Sequence, residues 1–236
     1  MPNVLQHEKV VLFDAPALED TSRIVEQFHR LYYGQAASQT WRNTFWRGIH
    51  VNKCPLDLWV YQEIIFDVRP DIIVETGTGR GGSTHFLASM CDVMGRGEVL
   101  SVDLYDTPYG KNVPAERPAH PRITYLRGSS TSAEVLSAIH ARIQPHHRVL
   151  VILDSHHSCD HVYQELLDYS KIVTPGSYVI VEDSNVNNHP VLPNFGPGPM
   201  EAVDAFLAHE SSFWVDGSRE KFFMTFNPRG FLKRIA

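Results

Sequence analysis

The sequence predicts an α/β fold: a doubly wound, mostly parallel seven-stranded sheet that ends in an antiparallel hairpin, with an N-terminal helical cap. Three observations lead there. After residue 70, short β-branched runs alternate with stretches long enough for a helix. One of those runs, Ile72 to Val74, leads through Glu75 into four glycines within six residues, the form of a buried strand turning sharply into a helix. The last two apolar runs stand too close together for a crossover helix, so they must pair antiparallel.

Taken in order, Leu18 to Tyr33 reads as a helix of the cap, followed by the aromatic stretch Thr40-Trp-Arg-Asn-Thr-Phe-Trp-Arg-Gly-Ile-His50. Bulky rings beside Arg42 and Arg47 suit a substrate wall or an oligomer contact, and they equally suit plain packing on the sheet. Leu58 to Val68, with Tyr61, Ile64, Ile65 and Val68 at helical spacing, leads into the first strand. Further parallel strands are expected at Val99–Val102, Ile123–Leu126, Val149–Leu153 and Tyr178–Val181, with helices at Thr84–Met94 and Val162–Ile172. Lys221–Phe226 and Phe231–Ile235, joined by Asn227-Pro-Arg-Gly230, are the expected hairpin. The chain divides into a cap over residues 1–56 and a cofactor-binding domain over 57–236.

Composition narrows the function. At 236 residues, 43% apolar and 20% charged, the chain fits one globular domain with some extra elements. A net charge of −6 with scattered basic residues gives no stripe to track a phosphate backbone, so nucleic acid is not the expected partner. Cys54, Cys91 and Cys159 are widely spaced and form no C-x-x-C, which points to a reducing, cytoplasmic setting. No signal-peptide pattern and no apolar run of membrane-spanning length occurs, so no membrane association is expected.

The glycine loop is a nucleotide-type cofactor site. Gly77, Gly79 and Gly82 satisfy G-x-G-x-x-G, so a nicotinamide dinucleotide and its oxidoreductase chemistry stay open. Glu75 argues for a different ligand: a carboxylate two residues before the first glycine would crowd a pyrophosphate but suits the cationic amino-acid end of S-adenosylmethionine. A mostly parallel sheet with a terminal antiparallel hairpin is also the usual layout of class I methyltransferases with their Rossmann-like fold.

Acids stand at the ends of successive strands: Asp103, Asp154, and Glu182 with Asp183. In an open parallel sheet these ends meet one crevice. Asp103 is placed to accept bonds from ribose hydroxyls. Asp154, Glu182 and Asp183 would repel one another unless a cation joined them, and an all-oxygen set suits magnesium, which could lower the pKa of an acceptor hydroxyl. Within Asp154-Ser-His-His-Ser-Cys-Asp-His161, a zinc reading fails because Ser158 stands where a histidine ligand is needed. His157 is the expected general base, His161 its supporting neighbour one turn on, and His156 a surface residue.

Four motifs carry a resemblance: Ile73-Val-Glu-Thr-Gly-Thr-Gly-Arg-Gly-Gly-Ser83, Leu153-Asp-Ser-His-His-Ser-Cys-Asp-His161, Ile180-Val-Glu-Asp-Ser-Asn185 and Gly196-Pro-Gly-Pro-Met-Glu-Ala-Val-Asp-Ala-Phe-Leu207. Together they resemble the cephalosporin hydroxylase and rhamnosyl O-methyltransferase family, over most of the chain from about Trp46 to Arg234. The resemblance implies S-adenosylmethionine-dependent methylation of a hydroxyl on a small molecule, a sugar or an antibiotic intermediate. It implies that Glu75, Gly77, Thr78, Gly79, Gly81, Ser83, Asp103, Ser130 and Asp154 hold the donor, and that Asp154, Glu182 and Asp183 hold magnesium. It also places His157, with Asp154, in the catalytic position that a lysine fills in catechol O-methyltransferases. A hydroxylase or hydrolase, as part of the family name suggests, and a non-catalytic sensor of the donor are the remaining readings. A homo-oligomer is expected from the aromatic N-terminal region.

Overall fold

The structure, a computed structural model, describes residues 18–34, 40–106 and 116–235; of the cap expected over 1–56, residues 1–17 and 35–39 lie outside the described residues. The elements in order are α1 (Leu18–Gly34), β1 (Phe45–Trp46), β2 (Ile49–His50), α2 (Pro55–Val68), β3 (Ile72–Thr76), α3 (Gly82–Met94), β4 (Glu98–Asp103) and β5 (Ile123–Arg127). They continue with α4 (Ala133–His140), β6 (Val149–Leu153), α5 (Cys159–Tyr169), β7 (Tyr178–Val181), α6 (Pro199–Leu207), β8 (Phe213–Val215) and β9 (Phe231–Arg234).

The seven-stranded sheet runs β5-β4-β3-β6-β7-β9-β8. Its first five strands are parallel, and β9 joins β7 and β8 antiparallel. Continuous Val/Ile runs make β3 and β6 buried along their whole length, as a sheet covered on both faces requires. On one face, Val60, Tyr61, Ile64 and Ile65 of α2 and Phe86 and Leu87 of α3 pack on Ile73, Leu150, Ile152 and Ile180. On the other, Val135 and Ile139 of α4, Leu166 and Tyr169 of α5, and Val203 and Phe206 of α6 cover Val74, Leu100, Val151 and Val179. The strand order reverses between β3 and β6, where one crossover goes to each side, and a crevice opens there at the carboxyl ends.

The terminal hairpin differs from the sequence expectation in its first strand. The partner of β9 is Phe213–Val215, paired through Trp214 and Lys233, while Lys221–Phe226 forms no strand. The reason lies in the cap. Phe226 sits among its rings, with centroids 5.3 Å from Tyr33, 6.0 Å from Trp41 and 5.6 Å from His29. Its backbone N–H donates to Asp57 Oδ2 at 2.9 Å instead of to a ladder. Burying Phe226 under the cap therefore outweighs the β propensity of the segment. The cap hairpin β1–β2 turns through Arg47 and Gly48, both with positive φ, the conformation that a two-residue connection of this kind demands. It lies on α3, where Trp46 Nε1 donates to Ser89 Oγ at 3.0 Å.

His29 anchors α1 to the sheet side. Its ring stacks on Phe226, and its Nε2 accepts from Asn185 Nδ2 at 2.9 Å, which requires the neutral imidazole. Burial lowers its pKa from 6.5 to about 4. Below about 6.5 the unfolded chain takes up a proton that the folded chain refuses, so this contribution to stability is full above that pH and is lost as pH falls toward 4. Urea unfolding at about pH 7 and about pH 4.5 tests this: the wild type is expected to lose more stability on acidification than His29→Gln, and equal losses would remove His29 from the account.

Candidate functional site

The loop after β3 is built around a backbone contact. Gly77 has φ +85°, its N–H donates to Val102 O at 2.8 Å, and a Cβ placed on it would lie 1.8 Å from the carbonyl oxygen of Asp154. No side chain fits between the two strand ends. Thr78 and Gly79 follow, and Gly81, also at positive φ, is the N-cap from which α3 begins.

Below the loop sits Glu75, fully buried. Its Oε2 accepts from Ser101 Oγ at 2.8 Å and from Thr84 Oγ1, while Oε1 has no hydrogen-bond partner among the described residues. Burial pushes this carboxyl up against the pull of Lys53 and the hydroxyl donors. Thr78 Oγ1 continues the network to Ser101 Oγ at 2.7 Å. Glu75 thus holds the loop from underneath; Gly77, Thr78, Gly79 and Ser83 line the crevice, with Arg80 and Gly82 beside them, while Glu75 and Gly81 do not line it.

The crevice is a cavity of about 720 Å³. Asp103 lines it, but its carboxylate is already engaged: Oδ2 accepts from Gly79 N at 2.9 Å and from Arg117 Nη2 at 2.8 Å. Arg117 lies in a loop beyond β4, and nothing in the sequence pattern marked it. Ser130 lines the same side; its Oγ lies 3.3 Å from His161 Nε2, and its carbonyl accepts from Tyr169 OH at 2.7 Å. His161 belongs to this corner. It meets Ser155 Oγ at 2.9 Å and Glu165 Oε1 at 3.5 Å, and the Glu165 bond raises its pKa. The expected support of His157 by His161 is not the arrangement found. His156 is exposed and bonds Ser158 Oγ at 3.0 Å.

At the opposite corner, β6 and β7 deliver the acids. Asp154, His157 and Asp183 present ligand atoms within 4.8 Å of one another. His157 Nε2 lies 3.1 Å from Asp183 Oδ2 and 3.9 Å from Asp154 Oδ1. Asp183 is held at φ 54° with its N–H donating to Asn227 Oδ1 at 3.1 Å. Burial raises the pKa of both aspartates, opposed by Lys53 at Asp154 and by His157 at Asp183. Two hard carboxylates beside an imidazole fit a divalent ion such as magnesium with its oxygen preference.

Glu182, expected in the same set, is turned away from it. Its Oε1 accepts from Lys53 Nζ at 2.5 Å and from Tyr61 OH at 2.8 Å, and Asn227 Nδ2 donates on to Tyr61 OH at 2.9 Å. Burial moves its carboxyl up to about 7. Lys53 also donates to Asp154 Oδ2 at 2.6 Å and is 3% exposed. Burial alone would lower this ammonium, but Asp154, Glu182 and Glu75 outweigh burial and raise it. Sequence reasoning missed Lys53, because a lone lysine between the cap and α2 carries no motif.

The cap closes the crevice. Tyr33 and Trp41 stack with centroids 5.3 Å apart, Trp41 Nε1 donates to the Tyr33 carbonyl, and both rings line the cavity with Arg42. Burial, followed by the charge of Asp183, pushes the Tyr33 phenol up to about 12.

Comparison with known proteins agrees with this architecture. The family model for Rhamnosyl O-methyltransferase/CmcI matches residues 38–235. The chain is similar to the Rhamnosyl O-methyltransferase of Mycobacterium leprae (strain TN), 37% identical over 219 residues that cover 91% of this chain and 92% of that protein. The Rhamnosyl O-methyltransferase of Mycobacterium tuberculosis (strain ATCC 25618 / H37Rv) is 36% identical over 216 residues, 89% and 85% of the two chains. Two solved structures of CmcI superpose with TM-scores of 0.62. The apo form is 20% identical, covering 96% of this chain and 88% of that one. The form with magnesium and S-adenosylmethionine is 21% identical, covering 96% and 89%. At that identity they show a shared fold.

The Gly77 contact sets a strict test. Gly77→Ala must relieve a backbone clash and adopt positive φ, so it is expected to cost about 2–4 kcal/mol of stability or to displace the loop. Chemical unfolding, together with calorimetric binding of S-adenosylhomocysteine, measures both; a variant with unchanged stability and affinity would contradict the geometry.

Proposed function

Because the chain belongs to the Rhamnosyl O-methyltransferase/CmcI family and is an S-adenosylmethionine-dependent O-methyltransferase, we propose that it methylates a hydroxyl of a small acceptor, a sugar or secondary-metabolite intermediate, with magnesium as its metal. The observation that carries this reading is the convergence of Asp154, His157 and Asp183 at the mouth of the crevice that the glycine loop opens.

The loop would hold the donor through Gly77, Thr78, Gly79 and Ser83, with Asp103 and Ser130 at its nucleoside end. Gly81 supports that loop from behind. Glu75, held behind the loop by Ser101 and Thr84, would add a negative charge that favours the donor's ammonium group. Asp154 and Asp183 would hold magnesium, with Glu182 behind them. When bound, S-adenosylmethionine supplies an electrophilic methyl group and magnesium supplies a Lewis acid for an alcohol oxygen.

The protein's own part is positioning and proton transfer. Tyr33 and Trp41 form an apolar wall against which an acceptor ring can stack, in the same cavity as the two aspartates. His157 Nε2 stands beside both carboxylates, and as the base it would take the proton of an acceptor hydroxyl in the tautomer that carries its hydrogen on Nδ1, which leaves the Nε2 lone pair free. Asp183 would then stabilise the imidazolium, and the wall would align the acceptor. The cap up to residue 56 thus serves as the acceptor side of the enzyme.

Methyl transfer to a rhamnosyl glycoside, followed as S-adenosylhomocysteine release, tests these roles. His157→Ala is expected to lower kcat by about 10²–10⁴-fold with donor affinity unchanged. Asp154→Ala is expected to abolish both magnesium binding and turnover; full activity in a chelator would refute the metal requirement.

A further inference from the structure

The acid cluster holds a cation of its own. Lys53 Nζ stands between β6 and β7, 2.6 Å from Asp154 Oδ2 and 2.5 Å from Glu182 Oε1, with the lysine side chain 3% exposed. Its stem is fixed by the chain that leads from the cap hairpin into α2, where Thr44 Oγ1 donates to the Lys53 carbonyl. Tyr61 OH completes the shell of the same Glu182 oxygen. One oxygen of Asp154 and one of Glu182 are therefore already neutralised by an ammonium, while Asp154 Oδ1 and Asp183 Oδ2 face His157.

We propose that Lys53 is a positioning residue that sets how tightly the ion is held: a resident cation, anchored on Glu182, that competes with magnesium for Asp154. This rests on the magnesium reading given above. Two like charges served by the same carboxylate repel each other, strongly so at short range in a partly buried site. The ammonium would therefore keep an ion held by Asp154 and Asp183 weakly bound and exchangeable. It also solves the folding problem of the crevice, since Asp154, Glu182 and Asp183 would otherwise sit at adjacent strand ends with no counter-charge before an ion arrives.

Calorimetric titration of the full chain with magnesium chloride decides it. In Lys53→Met and in Lys53→Gln, which keeps N–H donors without the charge, the magnesium Kd is expected to fall by about tenfold or more, and in Lys53→Arg to stay within about threefold of wild type. A purely structural lysine would move the affinity the other way. Binding of S-adenosylhomocysteine reports that each variant keeps its fold. If the uncharged variants fold only with magnesium, recovery below the wild-type Kd supports the competition and failure to recover overturns it. Unchanged or weaker magnesium binding in a folded, uncharged variant refutes the role of Lys53 alone. If wild type and variants all bind the nucleoside product but no magnesium, the metal reading falls and the proposal with it.

Discussion

The site depends on one contact between two backbones. Gly77 turns at the end of β3 against the carbonyl of Asp154 at the end of β6, with no room for a side chain between them. Because those strands are direct neighbours with Thr76 opposite Leu153, the sheet register itself fixes the distance between the loop and the first acid. The glycine-loop side and the acidic side of the crevice are thereby parts of one rigid rim. Reaction geometry of this kind gains from rigidity, since methyl transfer asks the protein mainly for alignment of two partners.

Around that rim, charge is arranged in two corners. Arg117 answers Asp103 at one, and Lys53 answers Asp154 and Glu182 at the other. Between them lies the loop, supported from below by a buried carboxylate and a chain of hydroxyls. Glu75 and Glu182 thus have donors that reduce the penalty of their burial, and Asp154, Asp183 and His157 line the cavity together at the second corner.

The sequence made the sheet and its rim legible because both are local signals. A Val/Ile run followed by glycines marks β3 and its loop, and acids closing β4, β6 and β7 mark the crevice wherever the chain order places them. What the sequence concealed was decided by distant packing. Lys221–Phe226 has the composition of a strand, yet Phe226 finds a better partner in the ring cluster of the cap. Glu182 reads as a third acid for an ion, yet Lys53, 129 positions away, reaches its oxygen first. His161 reads as support for His157, but Glu165 on its own helix draws it to the other corner. In each case a single long-range or competing partner, invisible as a pattern, chose between two local options.

One stretch of chain joins two of these tasks. Trp41 and Arg42 line the cavity, the cap hairpin follows at once, and Lys53 reaches the acids before α2 begins. The aromatic wall of the crevice and the counter-charge of its acids are thus carried on thirteen consecutive residues, Trp41 to Lys53. A change that reshaped this wall would shift the lysine as well, so the contour of the cavity and the charge balance of its acid corner are bound to vary together.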